Sequence, residues 1–139
     1  MEENFTIIEL SDNEVKFMED KLDEYDQEYI KFKMNGEISI GIKENGYLIA
    51  GLNACFTAFK ILYVSTVFVE KEYRRRGIGT RLMDELERKA KELGANMIRL
   101  DTFDFQGREF YKSIGYEEVG FYKNGIDCFA ESFFVKRLD

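Results

Sequence analysis

The chain has no histidine, no proline and only two cysteines in 139 residues. Without an imidazole, histidine-dependent zinc sites and histidine-based catalytic triads are excluded, and no metal is expected. Cys55 and Cys128 lack the tight spacing of a disulfide framework, which points to free thiols in a reducing compartment. A basic excess is lacking too. Twenty Lys and Arg against 27 Asp and Glu give a net charge of −7, the wrong sign for a nucleic-acid partner and the right one for a cationic partner. No apolar run approaches membrane-spanning length, and the acidic start Met1-Glu2-Glu3-Asn4 leads into no signal core. A cytoplasmic protein with no membrane partner is expected. With no repeat, no proline- or serine-rich linker and no low-complexity tract, residues 1–139 read as a single domain.

What the chain does have is large apolar surface: 45% hydrophobic residues, among them 13 Phe and 8 Tyr, enough for a proper core without staples. Phe5 to Leu10 reads as a short strand. Ser11 and Glu14 have the spacing of a capping box, and Val15, Met18, Leu22, Tyr25 and Tyr29 continue as a helical stripe to about residue 30. Ile38, Ile40 and Ile42 alternate with small residues, Asn45-Gly46 is a hairpin turn, and a strand resumes from Tyr47 to about Thr57. Ile61 to Val69 is a nearly continuous β-branched and aromatic run, the composition of a central strand. Ile78, Leu82, Met83, Leu86, Ala90 and Leu93 form one helical face ended by Gly94, with pairs four apart at Arg81–Glu85 and Glu85–Lys89. Strands over 96–103, 116–122 and 128–136 and a short helix over 106–113 complete the order, with a second hairpin turn at Asn124-Gly125. Strand, helix and strand across 61–103 make a right-handed parallel crossover, with the helix start at the carboxyl end of its strand, where ligands bind in open α/β sheets.

That helix start breaks a local rule. Arg74, Arg75 and Arg76 precede it, although the free N–H groups there already carry partial positive charge, and Gly77 and Gly79 offer no capping side chain. An anion is expected. The stretch lacks the Gly-Lys-Ser or Gly-Lys-Thr ending of a nucleotide loop and the third glycine of a dinucleotide fingerprint. What remains is a pyrophosphate held without metal by amides and arginines.

Arg74-x-x-Gly77-x-Gly79, placed after a strand and opening an amphipathic helix, resembles the acetyl-CoA signature of the Gcn5-related N-acetyltransferase (GNAT) family. Asp104-Phe105-Gln106-Gly107-Arg108-Glu109-Phe110-Tyr111-Lys112-Ser113-Ile114-Gly115-Tyr116 resembles that family's second motif, with Asp104 and Gly107 where asparagine and alanine are usual. The resemblance covers nearly the whole chain and implies an α/β fold: a mixed, mostly antiparallel sheet with a central parallel crossover and helices on both faces. It implies that amides from Arg75 to Thr80, including Gly77, Ile78 and Gly79, hold the pyrophosphate of acetyl-CoA while Arg74, Arg75 and Arg76 add charge. The backbone of Phe68 and Val69 would pair with the pantetheine arm.

For chemistry the resemblance points to Tyr111, near the cofactor sulfur. A phenol with a pKa near 10 is protonated at neutral pH and can donate to a leaving thiolate. The base that frees the amine is left among Glu70, Asp101, Asp104 and a carboxylate acting through water. The implied reaction is direct acetyl transfer to a small cationic amine or an exposed peptide amine. Tyr25, Tyr29, Tyr47 and Phe56, with Phe59 and the acidic residues 19–28, are the expected acceptor surface. Two other readings stay open: a coenzyme A sensor or interaction module without catalysis, and transfer of another acyl group. The aromatic Phe121, Tyr122, Phe129, Phe133 and Phe134 read as core packing on the last strands, while the resemblance, whose members often pair through this region, implies a homodimer.

Overall fold

The computed structural model describes residues 4–30 and 34–139. Its internal contacts divide the chain into two compact units, Met1–Lys31 and Phe32–Asp139. In the first, α1 (Asp12–Gln27) starts on the anticipated box: the Glu14 amide donates to Ser11 Oγ at 3.3 Å and the Ser11 amide to Glu14 Oε1 at 3.0 Å. The reciprocal bonds satisfy two of the helix's orphan donors and hold the Glu14 carboxyl below its ordinary range. Residues 5–10 form no strand, which corrects the sequence expectation. Composition alone does not make a strand. A ladder needs a neighbour, and Phe5 and Ile7 stay 85% and 98% exposed.

The second unit is a six-stranded sheet in the order β1-β2-β3-β4-β6-β5. Its strands are β1 (Glu37–Glu44), β2 (Tyr47–Phe56), β3 (Ile61–Val69), β4 (Met97–Phe103), β5 (Glu117–Asn124) and β6 (Phe129–Arg137). Every neighbouring pair is antiparallel except β3 with β4, which are joined through α2 (Ile78–Leu93). This is the mixed, mostly antiparallel architecture with one parallel crossover. The first turn falls at Asn45-Gly46, where both residues take the positive φ that a tight hairpin needs.

The alternation of each strand decides what packs. Leu62 and Val64 of β3, Ile98 and Leu100 of β4 and Phe134 of β6 turn to one face and meet Leu82, Met83, Leu86 and Ala90 of α2 in a single core. Each fully buried aliphatic side chain contributes about 1.5–3 kcal/mol. The short α3 (Arg108–Ser113) packs on that same face, its Tyr111 ring 5.9 Å from Phe134. Gly94 ends α2 in the left-handed conformation, φ 94°, its amide donating to Ala90 and Lys91 carbonyls. On the solvent side of α2, Arg88 takes Glu85 at 2.6 Å and Glu92 at 2.9 Å, in place of the pairs anticipated through Arg81 and Lys89.

β3 and β4 run together over only four aligned pairs, from Ile61 opposite Met97 to Val64 opposite Leu100. The cause lies on the other side of β3. Against β2, Val64 sits opposite Ala54 and Thr66 opposite Asn53, so Ser65 is an extra residue. Such a bulge bends its strand, and here the bend comes where β3 leaves β4. Beyond it β3 stays with β2 to Val69, and β4 stays with β6 to Phe103. The sheet opens into a wedge. Among the described residues no helix is long and apolar enough to cross a membrane.

Candidate acyl-transfer site

The wedge is the floor of a cavity of about 1150 Å³, lined by β3 from Val64 to Val69, the loop and first turn of α2, the end of β4, and the segment from Asp104 to Tyr111. Its size suits a ligand at the large end of the small-molecule range. At one side lies the start of α2. Gly77 caps it in the left-handed region, φ 78°, with no side-chain cap, and a Cβ built there would meet nothing within 4 Å. The first intrahelical bond is closed by the Arg81 amide on the Gly77 carbonyl at 3.1 Å, so the amides of Ile78, Gly79 and Thr80 have no partner within the helix. All three residues line the cavity. Gly79 has a second reason to lack a side chain: a Cβ would come 3.1 Å from the Phe110 ring, so the glycine lets α3 close onto α2.

The three arginines do not act alike. Arg74 and Arg75 line the cavity. Arg74 Nε donates to the Val69 carbonyl at 2.9 Å, tying the loop to the end of β3. Arg75 sits at φ 62°, a strained value for a side-chain-bearing residue that a tight turn imposes. Arg76 does not line the cavity; its guanidinium lies 5.2 Å from the centre of the Tyr73 ring. On β3 the two residues singled out also differ. The Glu70 amide donates to the Ile49 carbonyl, and the alternation of an antiparallel ladder then turns the Phe68 amide toward β2 and those of Val67 and Val69 toward the wedge.

Tyr111 lines the cavity from α3, only 8% exposed, between the rings of Phe110, Tyr116 and Phe134. Burial pushes its phenol up to about 12. No described residue bonds its hydroxyl, yet no buried side-chain oxygen or nitrogen among the described residues is an orphan. The hydroxyl therefore reaches open space, and Tyr111 lines the cavity. Gly107 also has a local cause, since a Cβ there would stand 3.2 Å from the Tyr111 ring and 3.7 Å from Thr102 Oγ1.

Arg108, in the same wall, is held by Glu118 of β5, Nε to Oε2 at 2.7 Å and Nη2 to Oε1 at 3.0 Å. These bonds, then one from Ser132, lower the Glu118 carboxyl to about 2. Because the folded pKa lies below the unfolded one, this stabilisation is fully present above the ordinary carboxylate range and is lost as pH falls toward about 2. Glu118→Gln is expected to lower Tm at neutral pH, with the gap to the unsubstituted protein closing in acid. Thermal melts at stepped pH check this; a gap that stays constant rules it out.

Among the expected acceptor residues, Tyr47 at the exposed start of β2 and Phe56 at its end do not line the cavity, and Tyr25 and Tyr29 belong to the first unit. Of the three carboxylates considered as bases, Asp101 and Asp104 line the cavity and Glu70 does not. Val67, Ser65 and Tyr73 line it as well without having been singled out. The signal for Val67 was its parity with Val69 along the strand. The bulge that decides this parity leaves no mark in composition.

The sequence pattern of the acetyltransferase (GNAT) family matches residues 4–116. The chain is similar to an acetyltransferase from Bacillus cereus ATCC 14579, with 30% identity and a TM-score of 0.89 over 96% of this chain and 98% of that one. An aminoglycoside 6'-N-acetyltransferase solved in complex with coenzyme A shares the fold at 20% identity and a TM-score of 0.61, over 74% of this chain and 73% of its own. The thialysine N-epsilon-acetyltransferase of Bos taurus is 28% identical over 60 residues, which are 42% of this chain. That match spans only 35% of the curated relative's own length. The family pattern covers most of the chain, and the Bacillus cereus fold is matched nearly end to end: the chain belongs to the acetyltransferase (GNAT) family.

Proposed function

We propose that the protein is an acetyl-CoA-dependent N-acetyltransferase that moves the acetyl group directly to a primary amine. The observation that carries this reading is the wedge itself, which brings uncapped amides, two arginines and a protonated phenol to the lining of one cavity. The residues fit the group. Acetyl-CoA supplies a thioester carbonyl open to amine attack and a thiolate that can leave. The amides of Ile78, Gly79 and Thr80, with Arg74 and Arg75, hold its pyrophosphate, each charge-assisted hydrogen bond contributing about 1.5–3 kcal/mol. The amides of Val67 and Val69 take the extended arm as an added strand. Tyr111 keeps its proton at neutral pH and faces the cavity, the state needed of a donor to the thiolate.

The coenzyme A of the aminoglycoside enzyme's crystal complex and the amine acceptor in the bovine relative's name support the same chemistry. The test follows thiol release from acetyl-CoA against polyamines, amino sugars, amino acids and peptides, with native mass spectrometry to show which acyl-CoA travels with the protein. Release that depends on an amine is expected. Binding of coenzyme A with no transfer to any amine would replace this reading by that of a binding module.

A further inference from the structure

The sheet face opposite α2 and α3 carries a second constellation around the same wedge. Asp101 of β4 lines the cavity from that side. It lies opposite Phe133, while Glu131 lies opposite Phe103, so the two carboxylates are diagonal neighbours on one face, their backbones about 7–8 Å apart. Each is held by one phenol: Tyr63 donates to Asp101 Oδ2 at 2.9 Å, and Tyr122 donates to Glu131 Oε1. Neither forms an ion pair among the described residues, so each keeps a free oxygen. Tyr63 is shifted up by its own burial and by its bond to Asp101, and Tyr122 by its bond to Glu131. The phenols thus stay donors.

Rings stand beside Glu131 on this face. Tyr122 stands 6.2 Å from both Phe129 and Phe133. On the other side of Asp101, Arg99 lies 4.4 Å over the Tyr63 ring, two positions back along β4, and repels a cation placed there. The charges along the face therefore run positive, negative, negative. An amine at Asp101 has one favourable direction for a second positive charge, toward Glu131.

We propose that the acceptor is a short aliphatic diamine, its reacting amine delivered at Asp101 and its second ammonium held by Glu131 beside the exposed ring of Tyr122. This rests on the acetyl-transfer reading and names its acceptor class. Asp101 and Glu131 are then the specificity-determining residues, and a monoamine of equal length loses the second contact. The contact joins an exposed ion pair to a cation–π interaction, and about a fivefold difference in affinity is expected.

Calorimetric titration of the coenzyme A-saturated protein with putrescine and with butylamine tests this. Putrescine is expected to bind about fivefold more tightly. Glu131→Gln erases the preference, and Asp101→Asn weakens both amines, while both variants keep their coenzyme A affinity, which also reports that they are folded. Equal affinities for the two amines, or a preference that survives Glu131→Gln, overturns the proposal. The same amine titrations on the protein alone separate the two readings. Failure to bind coenzyme A overturns acetyl transfer, whereas loss of the diamine preference overturns only the acceptor assignment.

Discussion

Replacing Tyr111 by Phe is expected to lower kcat for amine acetylation about a hundredfold while leaving the Kd for coenzyme A unchanged, the lower end of what a positioned proton donor contributes. The substitution removes one oxygen and keeps the ring. The contacts with Phe110, Tyr116 and Phe134 are made by that ring, so the fold and the cavity wall are preserved. The hydroxyl forms no bond within the described protein that its loss would break. Because burial raises the phenol to about 12, it is protonated throughout the neutral range. The ratio of the two kcat values should therefore stay flat from neutral to mildly alkaline pH. Steady-state kinetics across that range, with a parallel coenzyme A titration, decide the matter. An unchanged kcat removes Tyr111 from the chemistry, and a parallel loss of coenzyme A affinity makes it a packing residue.

Phe134→Ala is the largest expected loss of stability, about 3–5 kcal/mol from a domain total of about 5–15. Phe134 is 1% exposed and sits where β4, β6 and α3 converge, opposite Leu100 and against Tyr111. The ring cannot be replaced by collapse from one side, because rigid strands flank it, so a cavity remains. The deficit is read from urea unfolding as a fall in midpoint at constant slope. A change under about 1 kcal/mol would mean that the site relaxes and that the core is centred elsewhere. Part of the effect should also reach Tyr111, which loses one of its three packing walls.

The contrast between these two residues shows what the sequence made legible. The core strands, α2 and the capping box were readable because each depends on local periodicity and near neighbours: Leu82, Leu86 and Ala90 recur as a helix requires, and Ser11 and Glu14 bond each other. The arginine and glycine segment was readable because it contradicts the helix dipole. Three things were not. Phe5 to Leu10 has strand composition but no strand, since pairing depends on a partner far along the chain. The turn of Arg76 onto the Tyr73 ring is a matter of loop geometry that three identical residues cannot encode. The pairing of Asp101 with Tyr63 depends on the register of two strands that meet only through the crossover. Asp101 and Tyr63 stand 38 positions apart.

An ordinary sheet has two borders, and both are hazards because any stray strand can dock on them. This one has a third, set inside it, along β3 past Val64, where one side of the strand is hydrogen-bonded to β2 and the other has lost β4. The shape of that inner border limits what can pair with it. It closes at Val64 and Leu100 and is walled by the start of α2 and by Tyr111, so a single slender chain with its own amides and carbonyls can enter lengthwise, while a second sheet cannot. The same opening that admits a slender ligand thus refuses a neighbouring molecule's sheet, and both limits begin at one bulge, Ser65.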